Sequence, residues 1–133
     1  MEPFTLSRYP ILRYLPSILI MAFLFYGSSK PGSGMTWLVP PYDKMLHGFI
    51  YACLGISYAL WWKPAAWESK RILGIFWVTL ICLIFGLSDE FHQSFIPGRS
   101  ASTDDLIADA VGGLVGALVF ALLKPWKRFK IFR

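Results

Sequence analysis

The chain has 133 residues, of which 56% are apolar and only 16% charged, with a net charge of +5. That length leaves room for one domain, and the charge content lies well below the quarter usual in soluble domains. An ordinary soluble enzyme and a nucleic-acid reader are therefore poor fits, and a membrane protein is the class to expect. The apolar residues fall in four long runs. They predict four transmembrane helices, over about residues 10–28, 45–62, 71–91 and 103–123 of a single domain covering 1–133. Each run is near the lower limit of roughly 17–25 residues for a helical span, with snorkelling lysines and arginines extending its reach. Runs without a polar stripe argue against the alternative, a soluble all-helical core. The expected fold class is all-α, a polytopic membrane bundle of four helices.

The first run resembles a signal peptide in having Arg8 and Arg13 near its start, but no A-x-A-like site follows Tyr26 and Pro16 falls inside it. A retained anchor is the better reading. The stretch SSKPGSGMTWLVPPY cannot continue a helix, and its Trp37, Leu38 and Val39 are expected at the outer interface. Cys53 and Cys82 lie inside apolar runs and read as small buried side chains, not as a disulfide or metal pair. The short link KPAAWESKR puts Trp67 near the opposite interface. FIPGRS reads as a turn built on Pro97 and Gly98, with Ser102 or Thr103 as the N-cap of the last helix.

Four crossings place both termini and the middle link on one side. That side holds Arg8, Arg13, Lys63, Lys70, Arg71, Lys124, Lys127, Arg128, Lys130 and Arg133, ten of the thirteen basic residues. Both termini are therefore expected in the cytoplasm. The basic tail KPWKRFKIFR then reads as orientation and attraction to anionic lipid, with no nucleic acid implied. Six of the eight acids, Asp43, Asp89, Glu90, Asp104, Asp105 and Asp109, gather at the other, outer ends of helices two to four.

These acids lie on faces shared with other polar groups. Asp43, His47 and Tyr51 are spaced i, i+4, i+8, while Asp89 shares a face with His92 and Gln93. Ser102, Asp105, Asp109, Gly112 and Gly116 follow steps of three and four on the last helix, where Gly112 and Gly116 form a GxxxG pair suited to close helix contact or to an oligomer. An intramembrane carboxylate such as Asp109 faces a bundle interior or a cavity, and Arg99 is its expected counter-charge. The plainer readings are a helix-start role for Asp104, water-facing charges for Glu90 and Lys44, and a structural polar network for both histidines. Because the only two histidines each share a face with an aspartate at the same predicted depth, a common functional site is preferred.

DKMLHGFIYACLG and SDEFHQSFIPGRSASTDDLIADAVGGLVG together closely resemble the VanZ-like integral membrane family. Its pattern runs roughly D-K-x-x-H-x-x-x-Y, then D-E-x-H-Q-x-F-x-P-G-R, then D-x-x-x-N-x-x-G. Matched onto this chain, the pattern falls on Asp43, Lys44, His47, Tyr51, Asp89, Glu90, His92, Gln93, Pro97, Gly98, Arg99, Asp105 and Gly112. Asp109 stands where the family usually has Asn. The resemblance implies a bacterial-type envelope protein, in a family named for a member that lowers susceptibility to teicoplanin. It implies no defined chemistry.

Two main functions are compatible with these residues. In one, an enzyme acts on a membrane lipid or lipid-linked envelope intermediate. Arg99 then pairs with a phosphate, and His47 or His92, oriented by Asp43 or Asp89, moves protons. Glu90 and Asp105 complete its expected acidic set, with Lys44, Tyr51, Gln93 and Asp109 binding ligand. A version of this holds a divalent metal on His47, His92, Asp89 and Asp105, whose donor types suit zinc or a manganese-like ion, though no dense signature such as H-E-x-x-H is present. In the other, the pocket binds a lipid headgroup or partner protein without turnover. A small proton-coupled transporter ranks last. Six acids repel a phosphate, which favours a metal, proton transfer or a cationic ligand.

Overall fold

Proline decides where the helices of this bundle begin. The computed structural model describes residues 10–32 and 41–123. Pro10–Arg13 form one 3₁₀ turn, and α1 is Leu15–Ser28 with Pro16 in its first turn. There the missing N–H is one that no carbonyl awaits, so proline starts this helix instead of breaking it. The α-helix expected from residue 10 is shortened for that reason. α2, Tyr42–Ala59, begins directly after Pro41, earlier than expected, so Asp43 and Lys44 lie in its first turn. It also ends short of residue 62. Lys63 is extended before Pro64, as a residue preceding proline prefers. A further short helix, α3 (Pro64–Ser69), follows before α4 (Arg71–Gln93) and α5 (Thr103–Leu123). The expected bounds of the last helix coincide with those observed. Trp37, Leu38, Val39 and the basic tail lie outside the described residues.

Among the described residues the chain is all-helical. Ile11–Ser28, Arg71–Gln93 and Thr103–Leu123 are long and apolar enough to cross a membrane. α2 does not join them, because Asp43, Lys44 and His47 dilute its apolar content over the first two turns. The outward faces carry Phe23, Ile72, Phe76 and Leu122, each more than half exposed, a surface that lipid solvates and water does not.

α2 and α5 share the largest contact. A Cβ at Gly112 would overlap the carbonyl oxygen of Gly48, and one at Gly116 would overlap that of Ala52. The GxxxG pair is therefore met by α2 of the same chain, the close helix contact that its spacing suits. On the other side of α5, Gly113 lies against Cys82 of α4. α3 closes the opposite end of the bundle. Trp67, expected near the interface, is fully buried; its indole N–H donates to the Ala59 carbonyl at 2.9 Å and its ring lies 5.3 Å from that of Phe120. Satisfying the one polar atom of the indole makes that burial possible.

Gly112→Val is expected to destabilise the fold by about 3 kcal/mol or more, since overpacking here meets backbone. Gly27→Ala, whose Cβ would meet nothing within 4 Å, should change stability by about 1 kcal/mol at most, in the stabilising direction. Thermal unfolding in detergent, followed by tryptophan fluorescence, compares the two.

Candidate functional site

The chain path brings the end of α1, the start of α2, the end of α4 and the start of α5 to one pole, where the polar stripes meet. The glycine contact between α2 and α5 sets their register there. His47 directly precedes Gly48, and Asp109 is one turn before Gly112, so the imidazole faces the carboxylate: Nδ1 lies 3.1 Å from Asp109 Oδ1. Nearer the pole, Lys44 Nζ donates to Asp105 Oδ1 at 2.8 Å. The two rungs differ in setting. Asp109 is 1% exposed, whereas the Lys44 and Asp105 side chains are 33% and 19% exposed. With Asp109 as the carboxylate, which only accepts, Nδ1 carries the shared proton and Nε2 is left as the free position of the ring.

The connection between α4 and α5 is pinned on both sides. Gly98 has φ 75°, a conformation that side chains disfavour, and it turns the chain so that Arg99 reaches α1. Arg99 Nη2 donates to the Gly27 carbonyl at 3.0 Å and Nε to that of Lys30 at 3.2 Å, satisfying acceptors that a helix C-terminus leaves open. Gly32 N–H donates to the Pro97 carbonyl. At the start of α5, Ser102 Oγ accepts from Asp105 N–H, so Ser102 is the N-cap, and Ser102 N–H itself donates to Glu90 Oε2 at 2.6 Å. Glu90 thus holds the last helix in place from α4.

The other polar residues divide between positioning and lining roles. Gln93 Nε2 donates to Asp89 Oδ2 at 2.9 Å. His92 turns to α1, with Nε2 3.0 Å from Ser29 Oγ and its ring stacked 4.4 Å from Phe25. Asp43 accepts from the N–H of its neighbour Lys44. Tyr51 is fully buried below His47, its ring 6.2 Å from Phe85 and its hydroxyl without a partner among the described residues.

Two adjoining cavities open between these elements. The inner one, about 270 Å³, is lined by Phe23, Leu24, Leu46 and Ile50 together with His47, Asp89, Gln93 and Arg99. The outer one, about 220 Å³, is bordered by Asp43, Ser100, Gly98 and Asp105 and again by His47, Gln93 and Arg99. The first is mostly apolar, the second mostly polar, and three residues form their common wall. Sequence reasoning missed the apolar wall and Ser29. No signal marks Leu46 or Ile50, because every lipid-facing position in the chain is apolar too.

Several expectations are corrected by this geometry. Asp109 is paired with His47 and not with Arg99. His47 is oriented by Asp109 instead of Asp43. Glu90 and His92 line neither cavity. The metal set is divided: His47 goes to Asp109, His92 to Ser29, Asp89 to Gln93 and Asp105 to Lys44. Among the described residues no three His, Cys, Asp or Glu side chains converge as metal ligands.

Removing His47 leaves a buried carboxylate unpaired, so His47→Ala should cost about 3–5 kcal/mol of stability. Adding Asp109→Asn to that variant should recover part of the loss, because a neutral amide is cheaper to bury alone. Lys44→Ala, at the wetter rung, should cost about 1 kcal/mol or less. Thermal unfolding of the four proteins in one detergent decides this ranking.

The VanZ/LLP1 family model matches residues 13–124, which include all five helices and both motif blocks. No curated protein and no solved structure matches the chain. A match over that much of the sequence, with the motif residues gathered at one pole of a helical membrane protein, places the chain in the VanZ/LLP1 family.

Proposed function

We propose that this membrane protein binds a lipid or lipid-linked cell-wall intermediate, with its head at the polar wall where the two cavities meet and its apolar chain in the inner one. The observation that carries the reading is the pair of adjoining cavities with His47, Gln93 and Arg99 as their common wall. An amphiphile needs that combination: carbon surface along one part and a few convergent polar groups at the other. The inner cavity lies between α1 and α2, beside the exposed apolar residues Phe23 and Leu46, so a chain enters from the membrane and not through water. α2 crosses alongside the three apolar helices, and the bias of basic residues puts the polar pole outside the cell. Binding there alters the lipid surface that a lipid-tailed glycopeptide such as teicoplanin meets.

Turnover is the second reading, and His47 favours it. An imidazole held at one nitrogen by a buried carboxylate, and lining both cavities, has the arrangement of a general acid or base.

Leu46→Trp or Ile50→Trp should fill the inner cavity and reduce co-purified lipid at least about fivefold in native mass spectra; unchanged retention by both overturns the binding reading. If His47 carries turnover, Asp109→Asn should lower product formation from an added lipid extract while retaining bound lipid. Ser100→Cys should react with an impermeant maleimide on intact cells, and reaction only after lysis reverses the orientation.

A further inference from the structure

One buried carboxylate at this pole is neither paired with a cation nor used to hold a helix. Asp89 lines the inner cavity and is 4% exposed. Its Oδ2 accepts from Gln93, while Oδ1 has no partner among the described residues. Asp105 is committed to Lys44, Asp109 to His47, and Glu90 through one oxygen to the start of α5, while Asp43, half-buried at the outer cavity, accepts only from the Lys44 N–H. A buried acceptor of this kind costs stability until a donor reaches it, and a charged acceptor costs more. Gln93 stands on the same wall, and with its nitrogen bound to Asp89 its amide oxygen is the acceptor of that side chain. Two acceptors therefore sit together at one end of a cavity whose remaining surface is largely carbon.

We propose that Asp89 and Gln93 form a recognition site for a primary ammonium group on the head of the bound amphiphile. An ammonium has three N–H donors and no acceptor, so it matches Asp89 Oδ1 and the Gln93 amide oxygen. Its charge compensates a carboxylate that otherwise lacks a counter-ion, in a charge-assisted hydrogen bond. A bare metal ion fits less well: a hard divalent cation seeks about six oxygens or more, and among the described residues no convergent ligand set surrounds Asp89. An anionic head lacking an amine offers Oδ1 neutral hydroxyl donors at most, without the compensating charge, and brings like charge beside it. Arg99, on the same wall, spends its Nε and Nη2 on carbonyls of the α1 end, so it also serves to hold the cavity closed at that edge. The assignment rests on the amphiphile-binding reading above and narrows it to amine-bearing heads.

The test uses the full chain, purified in detergent and titrated in native mass spectrometry with dioleoyl phosphatidylethanolamine and dioleoyl phosphatidylglycerol, which share their acyl chains. Wild type should prefer the ethanolamine lipid at least about tenfold, as expected for a buried charge-assisted contact. Asp89→Asn should bring the two lipids to within about twofold of each other, and Leu46→Trp should weaken both. Equal retention of the two lipids by wild type, a measurement that needs no variant to fold, overturns the amine assignment and leaves amphiphile binding standing. So does an unchanged preference in Asp89→Asn. Retention of neither lipid overturns both readings. Displacement of the bound lipid by millimolar ethanolamine alone assigns the site to a free amine and overturns the lipid head as its occupant.

Discussion

The approach of α2 to α5 through Gly48, Gly112, Ala52 and Gly116 is the constraint on which the polar pole depends. Backbone lies where side chains would otherwise stand, so neither helix can rotate or slide without collision. His47 and Asp109 flank the same end of that contact, one on each helix, and Lys44 and Asp105 repeat the relation nearer the surface. Both rungs are hydrogen-bonded at 2.8 and 3.1 Å. A separation of the helices by about 1 Å would take the longer one beyond hydrogen-bonding range. Small residues in the apolar middle therefore decide the electrostatics of the end. Burying the Asp109 carboxylate is tolerable only because the imidazole arrives at bonding distance, whereas Lys44 keeps part of its side chain in solvent.

α1 follows a different rule. It makes no glycine-mediated contact among the described residues and is held by polar ties: Trp61 donates to Ser17 near its start, the Tyr58 hydroxyl donates to Met21 Sδ at its middle, and Arg99, Ser29 and Gly32 engage the α4–α5 region at its end. Between those ties its side chains Phe23 and Leu24 stop short of α2, and the inner cavity is the space left. Close packing and binding space are thus assigned to different helix pairs. The tightly packed pair supplies the oriented imidazole, and the loosely packed one supplies room for a ligand beside it.

Much of this could be read from the sequence, and the remainder could not for a definite reason. Hydropathy and helical spacing gave the depth of each polar residue and the face it occupies, so the gathering of Asp43, His47, Asp89, Gln93, Arg99 and Asp105 at one pole was legible. Spacing within one helix does not state how that helix is rotated against its neighbours. Asp109 and Arg99 looked complementary by charge alone, yet the glycine contact turns Asp109 to His47 and the Gly98 turn carries Arg99 to α1. His92 lies one residue before the end of α4 on a side that meets α1, a direction its pattern could not reveal. The burial of Trp67 was not legible either, because an indole whose N–H finds a carbonyl looks, in sequence, no different from one at the surface.

Three buried polar atoms near this pole lack a partner among the described residues: Tyr51 Oη, Asp89 Oδ1 and Glu90 Oε1. They are not equivalent. Tyr51 packs beneath the pole, and Glu90 spends its other oxygen holding Ser102; neither lines a cavity. Their unmet bonding is a cost of the fold, offset by ring packing in one case and helix capping in the other. Asp89 borders open space, so a molecule entering that space can supply what the chain does not. Of three similar deficits, the fold makes two inaccessible and leaves one where binding can relieve it, and that difference in access separates a structural cost from a recognition site.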